Sequence, residues 1–169
     1  MLFRSDRTAP SVTSIALQAG SDTGTSSSDG ITNATTLTYD LVFSESVTGV
    51  ASGDFGNGGT ATGCTFTPSG SGSTYTVSVG SCSAGTVILT FAANGATDTA
   101  GNTGPTSQAS ATTVTIDRTG PIVTTIALQS GSDTGTSSSD GITNATTLTY
   151  DLVFSESVTG VASGDFGNG

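Results

Sequence analysis

A long internal repeat is the feature that most limits what this chain can fold into. Residues 6–58 recur at 117–169, an offset of 111 positions, and 49 of the 53 aligned pairs are identical. Units of solenoid proteins are only about 20–50 residues long. A repeat of this length therefore predicts an array of complete domains. The four differences are Ala9/Gly120, Ser11/Ile122, Ser14/Thr125 and Ala19/Ser130.

The repeat also predicts the domain boundaries. We expect a short leader over residues 1–6, a complete unit over 7–117 and a second unit over 118–169 that is truncated about halfway. The linker Asp117–Pro121 is short, and its proline restricts both its own backbone and that of the preceding residue. A short, stiff linker favours an extended rod of domains.

Within one unit, apolar residues alternate with polar ones in short runs, a pattern typical of β-strands. Seven such runs in one repeat predict an all-β fold, a seven-stranded antiparallel sandwich. The second unit contains only the sequence runs that we predict as strands A to C. The predicted strands are A, Val12–Leu17; B, Thr36–Phe43; C, Val47–Phe55; D, Ala61–Thr67; E, Thr74–Val79; F, Thr86–Ala92; and G, Thr112–Ile116.

The parity of each run predicts which side chains face the core. Gly49 and Gly53 interrupt strand C and predict a bulge there. The Gly-rich residues 68–73 predict a hairpin turn between strands D and E. The expected core residues are Leu37, Tyr39, Leu41, Phe43, Tyr75, Val77, Val79, Val87, Leu89, Phe91, Val114 and Ile116.

The charge of the chain excludes several functions. It contains 13 acidic and 3 basic residues, no His and no Lys, and its net charge is −10. A polyanion such as nucleic acid would be repelled, and so would an anionic membrane surface. Without His or Lys, neither a Ser-His-Asp triad nor a Schiff base can form. No run has the ~20 apolar residues of a membrane-spanning helix. The sequence therefore predicts a non-enzymatic protein with no direct membrane insertion.

The two cysteines, Cys64 and Cys82, predict a disulfide bond. A zinc site lacks ligands, because the chain has no His and no CxxC pair. A single pair in a β-rich chain indicates an oxidising compartment, and hence an extracellular location. The bond would close an 18-residue segment, which is worth roughly 3 kcal/mol in the chain-entropy model.

The acidic residues lie mainly in loops, where two interpretations remain open. Asp in a loop can cap a turn, and clustered carboxylates can bind calcium. Strand order places one group at the distal end of the sandwich, where strand G finishes, and a second group at the proximal end, where strand A begins. Joining two units would bring Asp22, Asp29, Asp117 and Glu156 to one junction. The second group is Asp6, Glu45, Asp98 and Asn102.

Several phrases together resemble a known family. "FSESVTGV", "STYTVSV", "GTVILTFAANGATDTAGNTGP" and "IDRTGP" are similar to the bacterial Ig-like repeats of large cell-surface adhesins. The resemblance covers the complete unit and the second, partial one. It implies an immunoglobulin-like sandwich repeated many times, often with calcium at the junctions. Ser46 stands where such repeats often carry Pro, so nothing is inferred from that position.

We therefore expect a spacer repeat of an extracellular bacterial adhesin or surface fibre, whose partners are the neighbouring repeats of the same chain. The alternative is a carbohydrate- or ligand-binding module appended to a secreted enzyme. Sugar sites commonly use exposed aromatic rings, and the chain has no Trp. Exposure of the remaining aromatic side chains separates the two expectations.

Overall fold

The computed structural model describes residues 5–167. They form two compact units divided between Arg118 and Thr119, called unit 1 and unit 2 below. Among the described residues, no helix has the length and apolar character needed to cross a bilayer.

Unit 1 consists of short strands joined by turns. Its strands are β1 Val12–Leu17, β2 Ile31–Thr32, β3 Thr36–Thr48, β4 Phe55–Asn57, β5 Thr65–Gly80, β6 Gly85–Val87, β7 Leu89–Phe91, β8 Ala96–Asp98, β9 Thr103–Gly104, β10 Ala109–Ser110 and β11 Val114–Ile116. In unit 2 the strands are β12 Val123–Leu128 and β13 Tyr150–Phe154. The only helical segments described are three-residue 3₁₀ turns, at Ala19–Ser21, Ser52–Asp54, Ser130–Ser132 and Ser163–Asp165.

Strand β3 organises the first sheet of unit 1. It pairs antiparallel with β1 on one edge and with β5 on the other. Its C-terminal end turns to pair with β8, which pairs in turn with β9. These pairings correspond to the A–B–E–D sheet of an immunoglobulin-like sandwich.

The remaining strands form two three-stranded pieces. Strand β7 lies between β4 and β10, and β11 lies between β6 and β2. The β2–β11 pair is the parallel one. Together these pieces correspond to the C–F–G sheet, interrupted at Ile88 between β6 and β7. The all-β prediction is confirmed, and the curled sheets are consistent with an immunoglobulin-like sandwich.

The core of unit 1 lies between the two groups of strands. Every residue that the alternation placed inside is buried there, from Leu37 and Tyr39 to Val114 and Ile116. Phe43 contacts Tyr75 and Phe91 edge-on, with ring centroids 5.9 and 5.4 Å apart. Such aromatic contacts contribute roughly 0.5–1.5 kcal/mol beyond the buried area.

The strand boundaries differ from the prediction. Unit 1 has eleven described strand segments rather than seven, because strands F and G are each split and short extra pairs form at turns. The bulge predicted at Gly49 and Gly53 is wrong. Strand β3 runs through Thr48, so the irregularity falls between Val42 and Val47, where β3 shifts register. The chain then reaches strand C only at Phe55, after a 3₁₀ turn.

Predicted strands D and E appear as the continuous segment β5, which folds back on itself. The Ser69 Oγ donates to the Thr76 carbonyl at 3.4 Å. At Gly70 φ is +118°, and a Cβ there would lie 2.7 Å from the Thr74 carbonyl oxygen. Only glycine fits this position. The hairpin turn predicted over residues 68–73 is therefore present.

Unit 2 is a two-stranded sheet. Strands β12 and β13 pair antiparallel, with Val123 opposite Phe154 and Leu128 opposite Tyr150. This is the register of β1 and β3, in which Val12 lies opposite Phe43 and Leu17 opposite Tyr39. The repeated sequence thus reproduces its local pairing.

Candidate metal centre

Three carboxylates meet at the proximal end of unit 1. One oxygen from each of Asp6, Glu45 and Asp98 lies within 4.8 Å of the others. Within residues 5–167 this is the one cluster of three or more His, Cys, Asp or Glu side chains with that spacing. Asp6 precedes β1, and Asp98 ends β8. Glu45 lies inside β3, in the segment where register shifts, and not in the B–C loop as predicted.

Asn102 fixes the position of Asp98. Its backbone N–H donates to Asp98 Oδ1 at 2.8 Å, and its Nδ2 donates to Asp98 Oδ2 at 2.7 Å. The same Nδ2 lies 3.3 Å from the Thr8 carbonyl, in the segment that leads into β1. Asn102 therefore joins the β8–β9 hairpin to the start of the chain, and the carboxylate of Asp98 is held in a buried position.

Two of the three carboxylates have perturbed pKa values, for different reasons. Desolvation, with the negative charges of Asp98 and Asp6, raises the pKa of Glu45. The hydrogen bonds from Asn102 lower the pKa of Asp98 despite its partial desolvation. Like charges at this spacing disfavour joint ionisation unless a cation lies between them. Carboxylate oxygens of this kind are the ligands that calcium prefers, so the residues fit a calcium ion.

Asp22, Asp29 and Asp117 each make a local hydrogen bond within unit 1. Asp29 is exposed, and its Oδ1 accepts the Ile31 N–H at 3.0 Å, which is a turn-capping role. The backbone N–H of Asp117 donates to the Thr32 carbonyl at 2.9 Å. Asp22 is buried, and its Oδ2 accepts the Gly30 N–H at 3.1 Å. Glu156 lies in unit 2 and is exposed.

The sequence repeat relates two of these residues to the proximal cluster. Asp117 and Glu156 occupy the same positions in the repeat as Asp6 and Glu45. The predicted junction combines these two residues with Asp22 and Asp29, and the repeat relates them instead to the proximal cluster.

The predicted disulfide is confirmed. The sulfurs of Cys64 and Cys82 are 2.04 Å apart and their Cα atoms 4.2 Å apart, at the base of the β5 hairpin. Arg118 lies beside this bond. Its guanidinium donates to the Cys82 carbonyl at 2.8 Å and to the Ala34 carbonyl at 2.9 Å. Sequence reasoning missed this role, although the recurrence of Asp-Arg-Thr at both unit boundaries was a signal for it.

Comparison with known proteins identifies the unit itself. The sequence profile described as "Bacterial Ig-like domain" matches residues 8–118. The chain belongs to this family. The resemblance inferred from the sequence is therefore confirmed over the complete repeat.

Bacterial Ig-like domains of this family are structural and not typically enzymatic. They are commonly extracellular or at the cell surface, and the Cys64–Cys82 bond agrees with such a location. No curated protein matches the chain.

Proposed function

We propose that this bacterial Ig-like chain is a spacer repeat of an extracellular surface protein or adhesin, stiffened by calcium bound at the proximal end of each repeat. The single observation that carries the proposal is the Asp6–Glu45–Asp98 cluster. Asp6 lies in the segment leading into the repeat, whereas Glu45 and Asp98 belong to its body. A cation held by all three would fix that segment against the sandwich.

The structure of the linker supports this assignment. Because Asp117 repeats Asp6, each linker aspartate would complete the site of the repeat that follows it. Arg118 already ties the outgoing chain to two carbonyls of unit 1. The linker would then be fixed to the preceding repeat by Arg118 and to the following repeat by calcium. An array of such repeats would hold a distal domain away from the cell.

The burial of the aromatic rings disfavours the carbohydrate-binding alternative. Between residues 5 and 118, Tyr39, Phe43, Phe55, Tyr75 and Phe91 are buried and Phe66 is half-buried. The complete repeat therefore presents no exposed ring on which a sugar could stack.

Calcium-dependent thermal unfolding of the full chain tests the proposal. We expect calcium at about 100 times its Kd to stabilise unit 1 by about 2.7 kcal/mol, and a chelator to reverse this. Asp98→Asn and Glu45→Gln should each reduce the calcium response, because each removes one ligand of the proximal cluster. Asp54→Asn is the matched control, since Asp54 caps the Ala51 N–H elsewhere in unit 1. An equal calcium response in all four proteins would refute the metal site.

Small-angle scattering tests the mechanical part of the proposal. A chain of two complete repeats should become more extended when calcium is added. Asp117→Ala should remove this effect, because it deletes the linker carboxylate that closes the second site. Equal dimensions with calcium and with chelator would show that the cation does not stiffen the array.

A further inference from the structure

A buried carboxylate oxygen without a partner lies in the loop between β1 and β3. Asp22 is 7% exposed, and its Oδ1 has no hydrogen-bond partner among residues 5–167. Its equivalent in unit 2, Asp133, is also 7% exposed, and within the same residues its Oδ1 is unpartnered as well. The two loops differ in their surroundings, because unit 2 has no counterpart of β11. The same orphaned oxygen in both indicates a property of the loop itself.

The loop is organised by its own hydrogen bonds, which recur in both units. We call residues 21–33 and 132–144 the A–B loops. Asp22 and Asp133 each accept a glycine N–H at 3.1 Å. The hydroxyls of Thr32 and Thr143 donate to the carbonyls of the first serine in each loop, at 2.8 and 2.7 Å. The geometry is thus set locally and does not require the rest of the sandwich.

The chain supplies little to neutralise this carboxylate. An unpartnered polar atom in a buried position destabilises the fold, and does so more when it carries charge. The sequence has no Lys or His, and Arg118 donates to two backbone carbonyls. By contrast, each A–B loop is rich in hydroxyl, amide and carbonyl oxygens, including Thr25, three consecutive serines and Asn33. These are ligands for a hard cation.

We propose that each A–B loop binds a hard cation, with Asp22 Oδ1 in unit 1 and Asp133 Oδ1 in unit 2 as the charged ligand and loop oxygens as the neutral ones. This site is separate from the Asp6–Glu45–Asp98 cluster and needs no neighbouring repeat. In unit 1 the A–B loop also carries β2, and the Gly30 carbonyl accepts the Thr115 N–H at 2.7 Å. Cation binding would therefore secure the edge of the sheet beside the outgoing linker.

Hydrogen exchange of the full chain, read separately for the two A–B loops, tests the proposal. Calcium and sodium are added in separate arms to a protein kept in a buffer of bulky organic cations. At ten times its Kd, the bound ion should slow exchange through loop opening by about tenfold in residues 21–33 and 132–144. Calcium response alone assigns a divalent site, and response to both ions a less selective one.

Two matched variants make each loop the control for the other. Asp22→Asn should remove the response of residues 21–33 and leave that of 132–144, and Asp133→Asn should do the reverse. If Asp22→Asn unfolds unit 1, the Asp133→Asn chain still decides the question. No slowing by either ion in either loop would overturn the proposal, as would an unchanged response in the matching variant.

The same experiment separates this site from the proximal one. Asp98→Asn should remove any cation response of residues 96–103 and leave both A–B loops responsive. Loss of the loop responses in that variant would show that the loops only report binding at the proximal cluster, and would overturn the proposed loop site.

Discussion

Residues 8–56 and 119–167 are nearly the same sequence in two different surroundings. Tyr39 and Leu37 are fully buried in unit 1, whereas the equivalent Tyr150 is 54% exposed and Leu148 is 44% exposed in unit 2. Of the ten large apolar side chains that are strongly exposed within residues 5–167, only Ile31 belongs to unit 1. The difference shows that alternation marks which residues can be buried, while burial itself requires the opposing strands.

Strand length differs in the same way. In unit 1, β3 covers Thr36–Thr48 and is held on its second edge by β5. Within residues 119–167, β13 covers only Tyr150–Phe154 and pairs with β12 alone. An open cleft of about 400 Å³ in unit 2 is lined by Phe154 and Phe166 among others. Their equivalents in unit 1, Phe43 and Phe55, both pack against Phe91.

The A–B loops have the same internal hydrogen bonds in both units. Their hydrogen bonds repeat to within about 0.2 Å although one loop packs beside β11 and the other does not. Turn chemistry of Ser, Thr, Asp and Gly is therefore sufficient to form this segment.

The largest expected contrast is in hydrogen exchange. Amides of residues 36–43 should exchange only by global unfolding of unit 1, whereas those of 147–154 should open locally at much lower cost. The two free energies should differ by about 5 kcal/mol or more. Equal protection in both strands would mean that unit 2 has covered its apolar face.

Core truncation sharpens the comparison. Leu37→Ala should destabilise unit 1 by about 2–5 kcal/mol, because it leaves a cavity in a packed core. The same change at Leu148 should cost less than about 1 kcal/mol, since that side chain is already 44% exposed. Urea unfolding measures both, and similar losses would contradict the difference in packing.

The Cys64–Cys82 disulfide should stabilise unit 1 and leave the stability of unit 2 unchanged. Replacing Cys64 and Cys82 together with Ser should lower the stability of unit 1 by about 3 kcal/mol, because an 18-residue loop is released in the unfolded chain. Exchange in residues 132–144 should not change. An effect of equal size in both units would mean that they unfold together.

The loss of stability at alkaline pH should depend on Tyr39 and not on its equivalent in unit 2, Tyr150. Burial raises the pKa of Tyr39 from 10.0 to about 12. The unfolded chain thus releases this proton first, so the contribution of Tyr39 is complete below pH 10 and is lost between pH 10 and 12. Tyr39→Phe should remove this alkaline loss of Tm, and Tyr150→Phe should leave it in place.

The smallest expected effect concerns Asn102, which has no counterpart in unit 2. Its hydrogen bonds lower the pKa of Asp98, so they stabilise unit 1 above pH 3.8 and lose that contribution as pH falls further. Asn102→Ala should therefore reduce Tm at neutral pH, with the gap to the wild type closing in acid. A gap independent of pH would assign Asn102 a purely structural role.

Much of the structure of the complete repeat can be predicted from its sequence. Strand A was placed at Val12–Leu17, where the structure has it, and the parity of strands B, E, F and G identified the buried residues. The Cys64–Cys82 bond followed from composition. These features depend on side-chain alternation and on residue type, which are properties of the chain itself.

Only the tertiary structure determines which carboxylates lie close together and how far each strand extends. Strand β3 extends to Thr48 because β8 and β5 pair with its far end, and this places Glu45 beside Asp98. Asp22 belongs to its own loop because the Gly30 N–H donates to its carboxylate and the Thr32 hydroxyl binds the backbone of its neighbours Ser21 and Thr23. Contacts between residues about 50 positions apart depend on how the strands pair, so they cannot be predicted from the local alternation of side chains. For the same reason, one sequence is a packed core in unit 1 and an open sheet in unit 2.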